Sequence, residues 1–182
     1  MRSLRHQSLG CRRAARVRLV GAPRQASFAF WLGFAALVVL LDQASKVWVT
    51  SILALGEGFA VTGFFDLVFV FNRGAAFSFL AGAGGWQKWF FVTLALGVSA
   101  WLIVLLRRHW AERLYAASLT LILGGAVGNV IDRLRFDAVV DFLSFHVAGY
   151  YWPAFNVADS AITLGVALMV WQQFTQKDAL HD

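Results

Sequence analysis

The chain has 182 residues, 59% of them hydrophobic and only 14% charged. A soluble domain of this length normally carries more charge and does not gather its apolar residues into long runs, so an ordinary soluble enzyme is excluded. The net charge of +6 does not argue for nucleic acid: Arg2, Arg5, Arg12, Arg13, Arg16, Arg18 and Arg24 crowd the first 28 residues, and no aromatic or fold signal of a nucleic-acid binder accompanies them.

Residues 1–27 read as a polar, disordered tail. A basic stretch ahead of a first membrane span marks a cytoplasmic N-terminus. Cys11 is the single cysteine, which excludes an intrachain disulfide. It follows "SLG" as in a lipoprotein cleavage site, but the apolar run that should precede such a site is missing. A spanning helix takes about 20 largely apolar residues. Four stretches qualify: about 28–50, 89–106, 114–134 and 155–175.

The first span is interrupted by Asp42, Gln43, Ser45 and Lys46. Residues 55–80 then change character: they are rich in Phe and Val, with "NRG" as a turn signal in the middle. That pattern predicts two short strands bent at the turn, lying on the outer membrane interface where aromatic rings are favoured. The second span carries no charge. The loop "RRHWAER" after it repeats the basic bias with Arg107, Arg108 and Arg113, and Lys177 follows the fourth span. Both termini and the 107–113 loop are therefore expected in the cytoplasm. In the third span Gly124 and Gly128 stand four apart, a spacing that lets helices approach closely. Residues 134–153 read as an outer loop.

Ionisable groups in membrane segments are costly, so they are functional candidates by default. Asp141 follows the third span and Asp159 opens the fourth, which puts both at the outer boundary. Two close carboxylates tend to share one proton; one can then take a proton from water while the other donates. Simpler readings stay open. Asn156 could cap the fourth helix with Asp159 in its first turn, where the helix dipole favours an acid. Asp141 could be a solvated loop acid. Asp42 and Lys46, four apart, could be an intrahelical ion pair. Asp132 and Arg133 could mark a helix end with Arg133 reaching to the interface. Asn72 could be a turn residue. His146 has no evident partners, and four scattered histidines with one cysteine make zinc unexpected.

Five motifs go further. "LDQASK" (41–46), "FNRGAAFSFL" (71–80), "GGAVGNVIDR" (124–133), "VVDF" (139–142) and "FNVADS" (155–160) stand in the order and spacing of lipoprotein signal peptidase, also called signal peptidase II. Residues 30–175 resemble that family. The resemblance implies a mainly α membrane protein with four transmembrane helices, a small periplasmic β-cradle over 55–80 and a periplasmic loop between helices three and four. It implies one peptidase domain over 28–176, flanked by the cytoplasmic tails 1–27 and 177–182, and a multi-pass bacterial inner-membrane location. The implied activity is an aspartic endopeptidase that cuts diacylglyceryl-modified prolipoproteins just before the lipid-bearing cysteine, and the family is the target of globomycin. The catalytic pair matches Asp141 and Asp159. Supporting or substrate-binding positions match Asp42, Lys46, Asn72, Arg73, Gly74, Asn129, Arg133, Asn156 and Ala158. Asp132 matches a family aspartate outside the pair. No metal or other cofactor is implied, and a monomer with no nucleic-acid partner is expected.

Two other classes remain as alternatives. Membrane carboxylates also relay protons in transporters, although these acids gather at one face rather than at the midplane. A non-catalytic lipid-binding or assembly protein could use the aspartates only as caps. The G-x-G-D motif of other intramembrane aspartic peptidases is absent.

Overall fold

The computed structural model describes residues 26–74 and 85–178. The Arg-rich stretch with Cys11, the last part of the expected cradle (75–80) and residues 179–182 lie outside the described residues. Four helices carry the fold: α1 (Phe28–Ile52), α2 (Gln87–His109), α3 (Arg113–Phe136) and α4 (Val157–Asp178). Each overlaps a predicted apolar run. Three of them, α1, α2 and α3, are long and apolar enough to cross a membrane. Caps set ends that hydropathy does not. Ser27 Oγ accepts from Phe30 N at 3.2 Å to start α1, and Asp137 at φ 57° ends α3 in the left-handed region.

Helix α3 sits at the centre and touches the other three helices. Its glycines explain how. Gly124 lies against Val38 and the Ala35 carbonyl of α1, and Gly128 lies against the Asp42 carboxylate. Gly125 faces the Ala158 carbonyl and Ile162 on α4, while Gly165 of α4 faces Ile122 and the Ser118 carbonyl. In a bilayer, close backbone approach of this kind supplies the dispersion contacts that hydrophobic burial supplies in water. Leu102, Leu106, Ala116, Leu119 and Leu123 pack with Trp31 and Ala35 into one core.

Above the helices lies an antiparallel sheet ordered β1 (Gly58–Thr62), β2 (Phe65–Asn72), β3 (Val139–Val147) and β4 (Tyr150–Tyr151). Val49 of α1 packs with Leu67, Phe69, Val140 and Phe142, which fixes the sheet on the end of α1. Two expectations need correction. The first hairpin turns at Gly63–Phe64, not at "NRG". Strand β2 must run on to Asn72 because it pairs with β3 as far as Asn72↔Val139. "NRG" instead takes the chain out of the sheet, with Asn72 Oδ1 accepting from Gly74 N at 3.0 Å.

The second correction concerns 134–153, which is not a loop but mostly strand. Ala148 (φ 51°) and Gly149 (φ 84°) form the tight turn between β3 and β4, as a two-residue hairpin with positive φ at both positions requires. Asp141 therefore stands on a strand paired with β2 and seated on the ends of α1 and α3.

The helix contacts give a stability prediction. A Gly125→Val side chain would collide with the Ala158 carbonyl and Ile162, whereas Gly33 faces open space. Gly125→Val should destabilise by about 1–3 kcal/mol through overpacking, and Gly33→Ala should leave thermal unfolding in detergent unchanged. Equal melting temperatures for the two variants would contradict this packing.

Candidate active site

The site begins with a lysine that membrane burial would not tolerate alone. Lys46 is 3% exposed and its neighbour Asp42 is fully buried. The i,i+4 pair forms at 2.8 Å, but it is not merely intrahelical. Lys46 Nζ also meets Asp132 Oδ2 at 2.7 Å and donates to Asn129 Oδ1 at 3.1 Å, both on α3. Three acceptors thus surround three ammonium donors. Asp132 is no exposed helix end: Val140 N donates to its Oδ2 at 3.1 Å and Gln43 Nε2 to its Oδ1 at 2.9 Å. Asp42 Oδ1 accepts from Ala158 N at 2.9 Å, in the first turn of α4. One cluster of charge therefore joins α1, α3, β3 and α4.

Asn156 links the Asp141 side chain to the helix turn that carries Asp159. Asp141 is 1% exposed, so it is not a solvated acid. Its Oδ1 accepts from Asn156 Nδ2 at 2.7 Å and its Oδ2 from Asn72 Nδ2 at 3.0 Å. Asn156 Oδ1 accepts from Asp159 N at 2.9 Å, so Asn156 does cap α4. Asp159 lies in the first turn, and its Oδ1 accepts from Asn129 Nδ2 at 2.7 Å. The cap and the carboxylate pair are thus one arrangement, and the simpler reading of Asp159 does not displace the chemical one. Burial first, and then the charge of Asp159, push the Asp141 carboxyl up to about 7; the Asn72 and Asn156 amides and the Lys46 charge pull the other way.

A cavity of about 290 Å³ opens on Asp159 and on Asn72, the partner of Asp141, and is lined further by Asn129, Arg133, Trp152 and Phe155. Arg133 is held at its rim by the Asn129 and Gly74 carbonyls, each at 3.4 Å, and lies over the Phe91 ring. A second groove, largely apolar, starts at Asp159 and Phe155 and runs along α4 past Leu164 and Ala167.

The predicted site residues fall into three groups. Asp42, Lys46, Asn72, Asn129, Asn156, Ala158 and both aspartates join one hydrogen-bonded network, and Gly74 and Arg133 attach to its edge. Ala158 must be small, because it packs against Gly125 and Gly128. Arg73 stands exposed. The sequence reading left Gln43 and Asp132 out of the site; Gln43 bridges Asp42, Asp132 and the Gly128 carbonyl. Its signal was its place in a polar interruption of an apolar helix. His146 pairs with Asp66 at 3.3 Å and stacks on Tyr151. Among the described residues, no group of three or more His, Cys, Asp or Glu is placed to hold a metal.

A family model for signal peptidase (SPase) II matches residues 34–175. The lipoprotein signal peptidase of Azoarcus sp. (strain BH72) is 60% identical over 143 residues, 79% of this chain and 81% of that protein. That of Paraburkholderia phymatum is 51% identical over 156 residues, 86% of this chain and 94% of that protein. A bacterial membrane enzyme solved by the in meso method at 2.3 Å resolution superposes with a TM-score of 0.74 at 28% identity, covering 82% of this chain and 90% of that one.

The burial of Asp141 has a measurable sign. Its folded carboxyl keeps a proton up to about 7, against 3.8 for an ordinary one. This contribution to stability is complete below about 3.8 and is lost as pH rises through about 7. The melting temperature of the wild type should therefore fall relative to Asp141→Asn between about pH 4 and 7. Parallel curves would refute the raised value.

Proposed function

Because the chain belongs to the signal peptidase II family, we propose that Asp141 and Asp159 are the carboxylates with which it hydrolyses its substrate. It is a membrane peptidase that removes signal peptides from prolipoproteins. The observation that carries the residue assignment is the pair itself: Asn156 joins the Asp141 carboxylate to the Asp159 backbone amide, the charge of Asp159 acts on Asp141, and Asp159 lines the cavity.

The pair works with a single proton. The ionised carboxylate takes a proton from a water whose oxygen attacks the scissile carbonyl carbon. The other carboxyl gives its proton to the carbonyl oxygen, and a tetrahedral diol forms. A proton then passes to the leaving nitrogen, the C–N bond breaks, and the released acid and amine leave the pair again with one proton. Asn72, Asn129 and Asn156 hold the pair in place from three sides. Arg133, at the cavity rim, is placed to bind a substrate carbonyl.

The bond cut lies just before a diacylglyceryl-modified cysteine. Lipid holds that cysteine at the membrane surface while the signal helix runs into the bilayer, so a site at the end of a span meets the bond. The apolar groove along α4 suits a hydrocarbon chain or the signal helix. Helix α4 serves as a fourth span, both termini lie in the cytoplasm, and the site opens at the periplasmic face. Residues 28–176 act as one monomeric domain between two short tails, with no resident cofactor. Exposed Phe59, Phe64, Tyr150 and Trp152 on the sheet support contact with the bilayer surface, where aromatic rings are favoured.

Asp141→Asn and Asp159→Asn should each lower cleavage of a diacylglyceryl-modified prolipoprotein by about 10³-fold or more while the protein stays folded. A folded variant that cleaves at near wild-type rate would remove that residue from the chemistry. Cleavage by the wild type should also decline above about pH 7, as the pair loses its last proton.

A further inference from the structure

An asparagine amide can face a carboxylate with either end, and only the N–H end helps an anion. Three amides meet the Asp141–Asp159 pair, and each is turned by a donor on its far side. Gly74 N turns Asn72, and Asp159 N turns Asn156. Both are backbone groups that no substitution removes. Asn129 differs, because its Oδ1 is held by the Lys46 ammonium at 3.1 Å. Asn156 Nδ2 also reaches that oxygen, at 3.3 Å, but its two hydrogens already serve Asp141 Oδ1 at 2.7 Å and the Val140 carbonyl at 3.2 Å.

We propose that Lys46, which touches neither aspartate, is a positioning residue for the reaction: its ammonium fixes Asn129 with the N–H end toward Asp159. An ammonium only donates, so Asn129 must offer it Oδ1, and Nδ2 then falls 2.7 Å from Asp159 Oδ1. Asp42 and Asp132 hold the ammonium in place from two sides. Without Lys46, Asn129 can turn over and set its own oxygen against Asp159. That contact is tolerable only if Asp159 donates a proton into it. The proton is then committed to Asn129 instead of to substrate or water, and turnover slows although the substrate still binds.

This inference rests on the reading of Asp159 as a catalytic carboxyl, and a coupling measurement separates the two. Wild type, Lys46→Met, Asn129→Ala and the double variant are assayed on a diacylglyceryl-modified prolipoprotein peptide, with folded fraction measured by thermal unfolding. Lys46→Met should lower kcat about 100-fold with KM changed less than about twofold. In the Asn129→Ala background the same substitution should lower kcat less than about threefold, because the amide it acts through is gone. Lys46→Met leaves two buried carboxylates unpaired, so the cycle is repeated with Lys46→Met and Asp132→Asn together, referred to Asp132→Asn alone. An equal loss in both backgrounds, or a loss that follows the folded fraction, would overturn the proposal and leave Lys46 a structural ion. Full activity of Asp159→Asn in the same assay would instead overturn the reading of the pair.

Discussion

The buried Lys46 ammonium between Asp42 and Asp132 is the interaction on which the remaining structure depends. A lone charge in a membrane helix is costly, and an ion pair in a low dielectric is tolerable only when every partner is satisfied. Here the accounting closes. Asp42 accepts from Lys46 and the Ala158 amide, Asp132 accepts from Lys46, Gln43 and the Val140 amide, and Asn129 takes the remaining ammonium donor. All of these bonds except the Asp42–Lys46 pair within α1 join different elements. Through them α1 positions the first turn of α4 and the start of β3, the two segments that carry Asp159 and Asp141.

The small residues serve the same end. Gly128 admits the Asp42 side chain, and Gly125 admits the α4 backbone at Ala158. A larger residue at either position would push the first turn of α4 away from Asp42. The two carboxylates proposed for the chemistry therefore stand on rigid elements: Asp141 in a strand paired on one side with β2, and Asp159 at a capped helix start. Arg133, Trp152 and Phe155 line the cavity from α3 and from the chain entering α4.

Much of this was legible in the sequence, and the exceptions have physical causes. The four helices were readable because their apolar runs have the length of a span. The Asp42–Lys46 pair was readable from i,i+4 spacing, but its third member, Asp132, lies on another helix, and local spacing carries no information about it. Gln43 was missed for the same reason. The hairpin turn was misplaced because Gly63 and "NRG" both signal a turn, and only pairing with the distant β3 decides between them. Strand β3 does not read as a strand because its hydrophobicity follows no single face: Val139, Val140, Asp141 and Phe142 are all buried, where β3 meets the ends of α1 and α3. The family motifs marked the positions that meet at the cavity, yet not why Asn156 serves as a cap and a bridge together, which only the folded geometry displays.

The central claim is that Asp141 and Asp159 hold one proton between them in the working enzyme. It is tested most directly by carbon-13 spectra of protein labelled at the aspartate carboxyls, with the two signals assigned by Asp141→Asn and Asp159→Asn and followed from about pH 5 to 8 in detergent. The pair should keep a proton below about pH 7, with that proton leaving near 7. Two carboxyls ionised throughout that range would contradict a shared proton and the mechanism built on it.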